Sequence, residues 1–335
     1  MHPLRALSNR ILLLLLCSSL AHAQMAASRY FRVGNTENKA VQPRAGFALM
    51  GGGTDLDEAF RFLCERADGG DFLVLRSHGD DEYNRYIQKL CPLNSVATLI
   101  IPSRAAAAEP SVAARIRGAS GLFIAGGDQA TYIDFWMGTP VQSELNAAIA
   151  RGVPIGGTSA GLAVLGEYAY SAQGDKPDDP NLDGKTAMAD PFGPRITLVH
   201  GFLDIPILKG IITDTHFAKR NRMGRLLVFL ARLNAAGSND KRVRGIGVEE
   251  RAAILLEPDG KGSVVGHGSA YLVEPQRFPS NIGRGTPLTG AAFTVQKVGP
   301  GHSFNVRERR GDATTYTLSI EKCTIRSTQP GGAVY

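Results

Sequence analysis

Residues 152–168 read G-V-P-I-G-G-T-S-A-G-L-A-V-L-G-E-Y. A short apolar segment ends at Ile155, six small residues follow from Gly156 to Gly161, and a periodic apolar segment resumes at Leu162. Small residues let a chain turn sharply from a strand into a helix without side-chain collisions. Ser159, the hydroxyl at the apex of that turn, would lie beside the first free amides of the new helix. An activated serine needs this arrangement, with backbone donors placed for its oxyanion. A glycine-rich turn also suits a phosphate, or serves as a turn alone, so the rest of the chain has to decide.

Outward from that turn, apolar runs and helical periodicities alternate. Short buried strands are expected at 46–50, 71–76, 96–101, 121–125 and 153–155, with helices at 55–67, 81–90, 105–118, 131–136 and 141–151. Such alternation implies an α/β fold with a mainly parallel sheet covered on both faces. Ligands bind beyond the carboxyl ends of the strands in sheets of this kind. The glycine clusters at 51–53, 126–127 and 156–157 all follow strands and should converge there. Residues 171–194 break the pattern with acidic residues, prolines and glycines, and read as a surface excursion. Their spacing matches no calcium-loop template. Another amphipathic helix is expected at 222–233, and the strands and turns over 252–323 make a β-rich C-terminal end.

The 335 residues, 43% hydrophobic and 20% charged, suffice for a substantial core. The formal charge of +6 is mild, and no basic stripe interleaved with aromatics argues for nucleic acid. Arg5 and Arg10 precede an apolar run at 11–16 and an Ala-x-Ala site ending at Ala23. That is the form of a cleaved signal peptide over residues 1–23, too short to anchor in a bilayer, so a secreted or periplasmic protein free of the membrane is expected. Residues 24–43 read as an irregular lead-in and 44–335 as a single domain. The mature chain would keep Cys64, Cys91 and Cys323. One bridge, between the sequence neighbours Cys64 and Cys91, and three unpaired thiols are both open, and the three are too scattered for a metal site.

A serine nucleophile needs a base, and the base needs a group to hold its tautomer. His216 closes a strand-like segment beside Asp214, Lys219, Arg220, Arg222 and Arg225. His78 also follows a strand and is its rival. Positive charge at a helix start opposes the helix dipole, so the arginines want another reason, such as a substrate carboxylate or buried acids. Glu249 and Glu250, after G-I-G-V at 245–248, are placed to supply the third group, one of them pointing inward.

Four motifs in order, G-G-D-Q at 126–129, G-G-T-S-A-G at 156–161, D-T-H-F-A-K-R-N-R-M-G-R-L at 214–226 and G-I-G-V-E-E at 245–250, resemble the cyanophycinase family of serine peptidases, which also holds aspartyl dipeptidase. The resemblance spans about residues 44–275. It implies a three-layer α/β/α sandwich related to class I glutamine amidotransferases, often dimeric, with no cofactor. It implies hydrolysis of cyanophycin, an aspartate backbone bearing arginines on its β-carboxyls, to β-Asp-Arg dipeptides, or else cleavage of short aspartyl or isoaspartyl peptides. A non-catalytic binding protein of the same fold is the remaining reading. Ser159 matches the family nucleophile, His216 the base and Glu250 the third member. Ala160, Gly127 and Asp128 would supply oxyanion donors. Gln129, Asp214, Thr215, Arg220, Arg222 and Arg225 match substrate-pocket positions. This chain has Thr215 where the family often has glutamine, and Glu249 where aspartate is usual.

Overall fold

The computed structural model describes residues 27–175, 178–179, 181–235, 242–279 and 281–335; the signal-peptide reading of residues 1–23 lies outside them. Strands β1 (Arg29–Gly34), β2 (Phe47–Met50), β3 (Asp71–Arg76), β4 (Ser95–Ile100), β5 (Gly121–Ile124) and β6 (Ile155–Thr158) open the fold. Between them lie helices α1 (Asp57–Arg66), α2 (Glu82–Leu90), α3 (Arg104–Ala107), α4 (Pro110–Arg117), α5 (Gln129–Trp136) and α6 (Pro140–Ala150). After the serine turn come α7 (Ala160–Ala163), β7 (Tyr168–Tyr170), α8 (Gly184–Ala189), β8 (Leu198–His200), β9 (Ile211–Asp214), α9 (Met223–Ala235) and β10 (Arg244–Val248). The β-rich end holds β11 (Ala252–Leu256), β12 (Lys261–Gly266), β13 (Ala270–Arg277), β14 (Ala292–Val298), β15 (Ser303–Asn305), β16 (Arg310–Gly311), β17 (Thr314–Glu321) and β18 (Thr324–Ser327).

Two mixed sheets result. The first runs β1-β4-β3-β5-β6-β2-β11-β12-β15-β16, and the second β18-β17-β14-β13-β10-β9-β7-β8. The architecture is an α/β sandwich with a β-rich C-terminal region, as expected, but parallel pairing is confined to its centre. It joins β4, β3, β5, β6 and β2 in one sheet, and β7, β9 and β10 in the other. Strands 11 to 18 divide between the two sheets and pair antiparallel. The central strands β2, β4 and β5 are buried along their whole length, as continuous apolar runs demand.

Several local expectations change. The lead-in is not irregular throughout: residues 29–34 form β1, which pairs antiparallel with β4 and covers that edge. Its alternation is weak, with residues half-buried rather than buried, so period two left little trace. The expected helix at 105–118 is two helices, because Pro110 has no amide to continue the first and starts the second. The helix after Ser159 is one turn long, and the strand at 168–170 begins soon after it. The 171–194 excursion is not all surface. Gly184, opening α8, packs against α9 so closely that a Cβ there would lie 2.8 Å from the Cα of Gly224. Cys64 and Cys91 form the disulfide, leaving Cys323 as a free thiol that donates to the Met188 carbonyl.

The carboxyl ends of β2, β5 and β6 in the first sheet and of β9 and β10 in the second lead into residues 51–53, 126–127, 159, 216 and 250. The functional edge is therefore shared by two sheets.

Candidate active site

Ser159 follows β6 with φ +52° and ψ −117°, a conformation non-glycine residues rarely adopt. Two glycines allow it. A Cβ on Gly157 would sit 2.5 Å from the carbonyl carbon of Gly161, and a Cβ on Gly161 would sit 2.0 Å from the carbonyl oxygen of Ile124. Only hydrogens fit at both positions. The turn is tied to the neighbouring strand by the Ser159 amide, which donates to the Met50 carbonyl at 3.2 Å. A strained residue held by its surroundings is what a preorganised reactive group requires.

His216 lies two residues beyond β9, also with positive φ, and its amide donates to the Gly51 carbonyl at 2.7 Å. Its ring lies on Gly52: a Cβ there would be 2.5 Å from Cε1 and 2.6 Å from Nε2 of the imidazole. The 51–53 cluster thus serves as a bed for the histidine. On that bed, His216 Nε2 is 2.6 Å from Ser159 Oγ, and His216 Nδ1 is 2.7 Å from Glu250 Oε1. With the imidazole neutral, Ser159 donates to Nε2 while Nδ1 donates to the carboxylate. Burial, followed by the repulsion of Arg220 and Arg222, pushes the His216 pKa below its ordinary 6.5, against the pull of Glu250. The hydrogen bond from His216 holds Glu250 below the ordinary carboxylate value.

The choice between the two glutamates is made by their partners. Glu249 accepts from the Ser269 amide and the Tyr271 hydroxyl, facing away from the histidine. His78 stands at the end of β3 against Ser77 and takes no part in the chain of hydrogen bonds. Gly126 lies against Ser159, since a Cβ there would be 3.6 Å from that of the serine. Gly127 and Asp128 line the cavity beside Ser159, and Asp128 caps α5 by accepting from the Ala130 amide at 2.9 Å. The amide of Ala160 opens α7 and so has no partner within that helix.

A cavity of about 570 Å³ opens at Ser159. Gln129, Thr215, Arg220, Arg222 and Arg225 line it, and Asp214 does not. Asp214 is buried in a two-pronged ion pair, accepting from Arg225 Nε at 2.8 Å and Nη2 at 2.5 Å. Arg225 is itself buried and stacks over the Tyr170 ring, its carbon Cζ 4.9 Å from the centroid. Arg222 donates to the Asn181 side chain and to the Thr215 carbonyl and hydroxyl. Its burial and the adjacent Arg225 push its pKa down to about 9. Arg220 is exposed and makes no side-chain hydrogen bond among the described residues. The sequence reading missed Asp134 and Gln173, which share a hydrogen bond of 2.5 Å on the cavity wall, and Asn181, which orients Arg222. Asn181 and Gln173 fall in the segment read as excursion, where no periodicity marks a residue as inward-facing.

Residues 80–261, more than half of the chain, match Peptidase family S51. A cyanophycinase of Synechococcus elongatus is 27% identical over 257 residues, covering 73% of each chain. One from Trichormus variabilis is 29% identical over 219 residues, covering 64% of this chain and 66% of its own. Among solved structures, a peptidase from an acI-B1 Actinobacterium is similar in fold, with a TM-score of 0.50 at 17% identity, covering 79% of this chain and 98% of that one.

Proposed function

Because this chain belongs to peptidase family S51 and is a serine-type peptidase, we propose that it is an exported exopeptidase that hydrolyses cyanophycin to β-Asp-Arg dipeptides through an acyl-enzyme. The observation that carries the reading is the continuous hydrogen-bonded path Glu250–His216–Ser159, which ends at Ser159 on the cavity wall. His216 Nε2 takes the hydroxyl proton as Ser159 Oγ attacks the main-chain carbonyl beside a β-linked aspartate. Glu250 holds Nδ1–H and stabilises the imidazolium that forms. The amides of Ala160, Gly127 and Asp128 receive the oxyanion, each such donor being worth ~3 kcal/mol. His216 then gives its proton to the leaving amine. Water, deprotonated in turn by His216, attacks the acyl carbon and frees Ser159.

The cavity's charges suit this substrate. Arg220, with no side-chain hydrogen bond among the described residues, is available for a substrate carboxylate, and Gln129 shares its cavity. Asp128 and Asp134 put carboxylates on the same lining, where an arginyl guanidinium would find a partner. Arg222 and Arg225 are spent on internal bonds and act by shaping the wall. The Cys64–Cys91 bridge is at home in an oxidising compartment and accords with export guided by residues 1–23.

The test is product analysis after incubating the mature chain with insoluble cyanophycin. Release of β-Asp-Arg by the wild-type protein, and its absence with Ser159→Ala, is the expected result. Cleavage of soluble β-aspartyl peptides with the polymer left intact would instead assign a dipeptidase. Full activity of Ser159→Ala on either substrate would remove the serine from the mechanism.

A further inference from the structure

Tyr335 reaches from the C-terminal segment to both turns that carry the histidine and the glutamate. Its ring stands edge-on to Phe217 and to Tyr271, with both centroids 5.9 Å away and interplanar angles of 85° and 87°. Phe217 directly follows His216, and its ring lies on Gly247 of β10, where a Cβ would be 2.6 Å away. The Tyr271 hydroxyl donates to Glu249, which directly precedes Glu250. Phe217 and Tyr271 are themselves in ring contact, with centroids 5.3 Å apart. The three rings therefore form one wedge between the two turns.

The hydroxyl of Tyr335 does separate work. It accepts from the amide of Met223 at 2.8 Å and donates to Asn221 Oδ1 at 3.2 Å. Met223 is the first residue of α9, so its amide has no carbonyl within the helix to bond. Asn221 holds a left-handed backbone conformation, φ +49°, in the tight turn between Arg220 and Arg222. One oxygen thus caps the helix and steadies the turn that presents the cavity arginines. The segment is anchored from below, since the Tyr316 hydroxyl donates to the Val334 carbonyl at 2.8 Å.

We propose that Tyr335 is a positioning residue of the active site, its ring fixing the spacing of the His216 and Glu250 turns and its hydroxyl fixing the turn that presents Arg220. The assignment rests on the serine-peptidase reading of Ser159, His216 and Glu250. It divides one side chain into two separable functions: ring packing sets the reactivity of Ser159, and the hydroxyl sets substrate affinity. Dispersion and ring packing survive in phenylalanine, whereas the cap and the Asn221 bond do not.

The experiment uses the full mature chain with Tyr335→Phe and Tyr335→Ala. The rate at which diisopropyl fluorophosphate labels Ser159 is measured alongside kcat and KM for the β-aspartyl substrate and the thermal midpoint. Tyr335→Phe should label within about twofold of wild type yet show KM raised about fivefold, because the helix cap and the Asn221 bond that steady the Arg220 turn are both lost. Tyr335→Ala should label about tenfold or more slowly, because a shift of the imidazole by a fraction of an ångström breaks the attack geometry. Lowered thermal midpoints with wild-type labelling and wild-type KM in both variants would reduce Tyr335 to packing and overturn the proposal. A wild-type protein that resists the reagent would overturn the triad itself, and the proposal with it.

Discussion

Two turns meet at the cavity, one at 156–161 carrying Ser159 and one at 214–225 carrying His216 and the arginines, and they are built by opposite means. The first is shaped by the absence of side chains. Gly157 and Gly161 lie within 3 Å of backbone atoms at the places where a Cβ would stand, so the main chain itself sets the serine's position. The second is shaped by buried charge. Asp214 and Arg225 form an ion pair from which water is excluded, and Arg222 is bound to Asn181 and Thr215. Backbone contacts of the first kind, within the turn and to Ile124 of the neighbouring strand, leave no room to shift. Charge contacts of the second kind run within the turn, from Asp214 to Arg225, and out to Asn181, and their removal leaves a partner stranded.

That contrast can be broken or sharpened by experiment. The largest effect should come from the first turn's one functional side chain: Ser159→Ala should lower kcat/KM by roughly 10⁴-fold or more with the fold intact. Next comes the second turn's foundation. Asp214→Asn should cost about 3–5 kcal/mol in urea unfolding, because it strands the buried Arg225 cation. If that variant unfolds like the wild type, the ion pair is not what holds the turn.

The seam between the turns can be probed at Gly52, on which the imidazole rests. Gly52→Ala places a methyl 2.5 Å from Cε1 of His216, at a residue whose φ of +97° already disfavours a side chain. Displacement of the base should lower kcat by about 10²-fold while the cavity still binds substrate. An unchanged kcat would show that the ring does not need its bed.

The smallest effect concerns protons. The His216 pKa is lowered by burial first and by Arg220 and Arg222 second, so the acid limb of kcat/KM should lie below 6.5. The sign follows from the role. A base works when deprotonated, so activity is complete above the histidine's pKa and falls as pH drops through it. Arg220→Gln removes one repelling cation and should move that limb upward by a fraction of a pH unit. A limb that stays where it was, or moves down, would exclude coupling between Arg220 and His216.

Much of the site was legible from residue types. Ser159 was marked by its small neighbours, His216 by its place after a β-branched run, and Glu249–Glu250 by following another buried strand. Each of these is a strand end, and strand ends are what hydrophobic runs reveal. The identity of the glutamate was not legible without the family resemblance, since adjacent positions differ only in which face they present. It took the Tyr271 hydroxyl and the Ser269 amide, about twenty residues on, to occupy Glu249. The roles of the arginines were equally hidden. Three guanidiniums within six positions look alike in sequence, yet one is exposed at the cavity and two are tied down by Asp214, Asn181 and Thr215.

The division of the fold follows the same rule. Local composition determined where the chain turns, where helices and strands alternate, and that a serine stands at a glycine-lined apex, because backbone conformation answers to residues a few positions away. Sheet membership did not follow from it: β1 lost its expected irregularity by pairing with β4, and the C-terminal strands divided between two sheets. Only the tertiary structure decided that His216 and Glu250 come from one sheet while Ser159 comes from the other. Strand partners such as β1 and β4 are chosen by burial across the whole molecule, and even Asp214 and Arg225, which share one short stretch, are paired only because the surrounding core shuts water out.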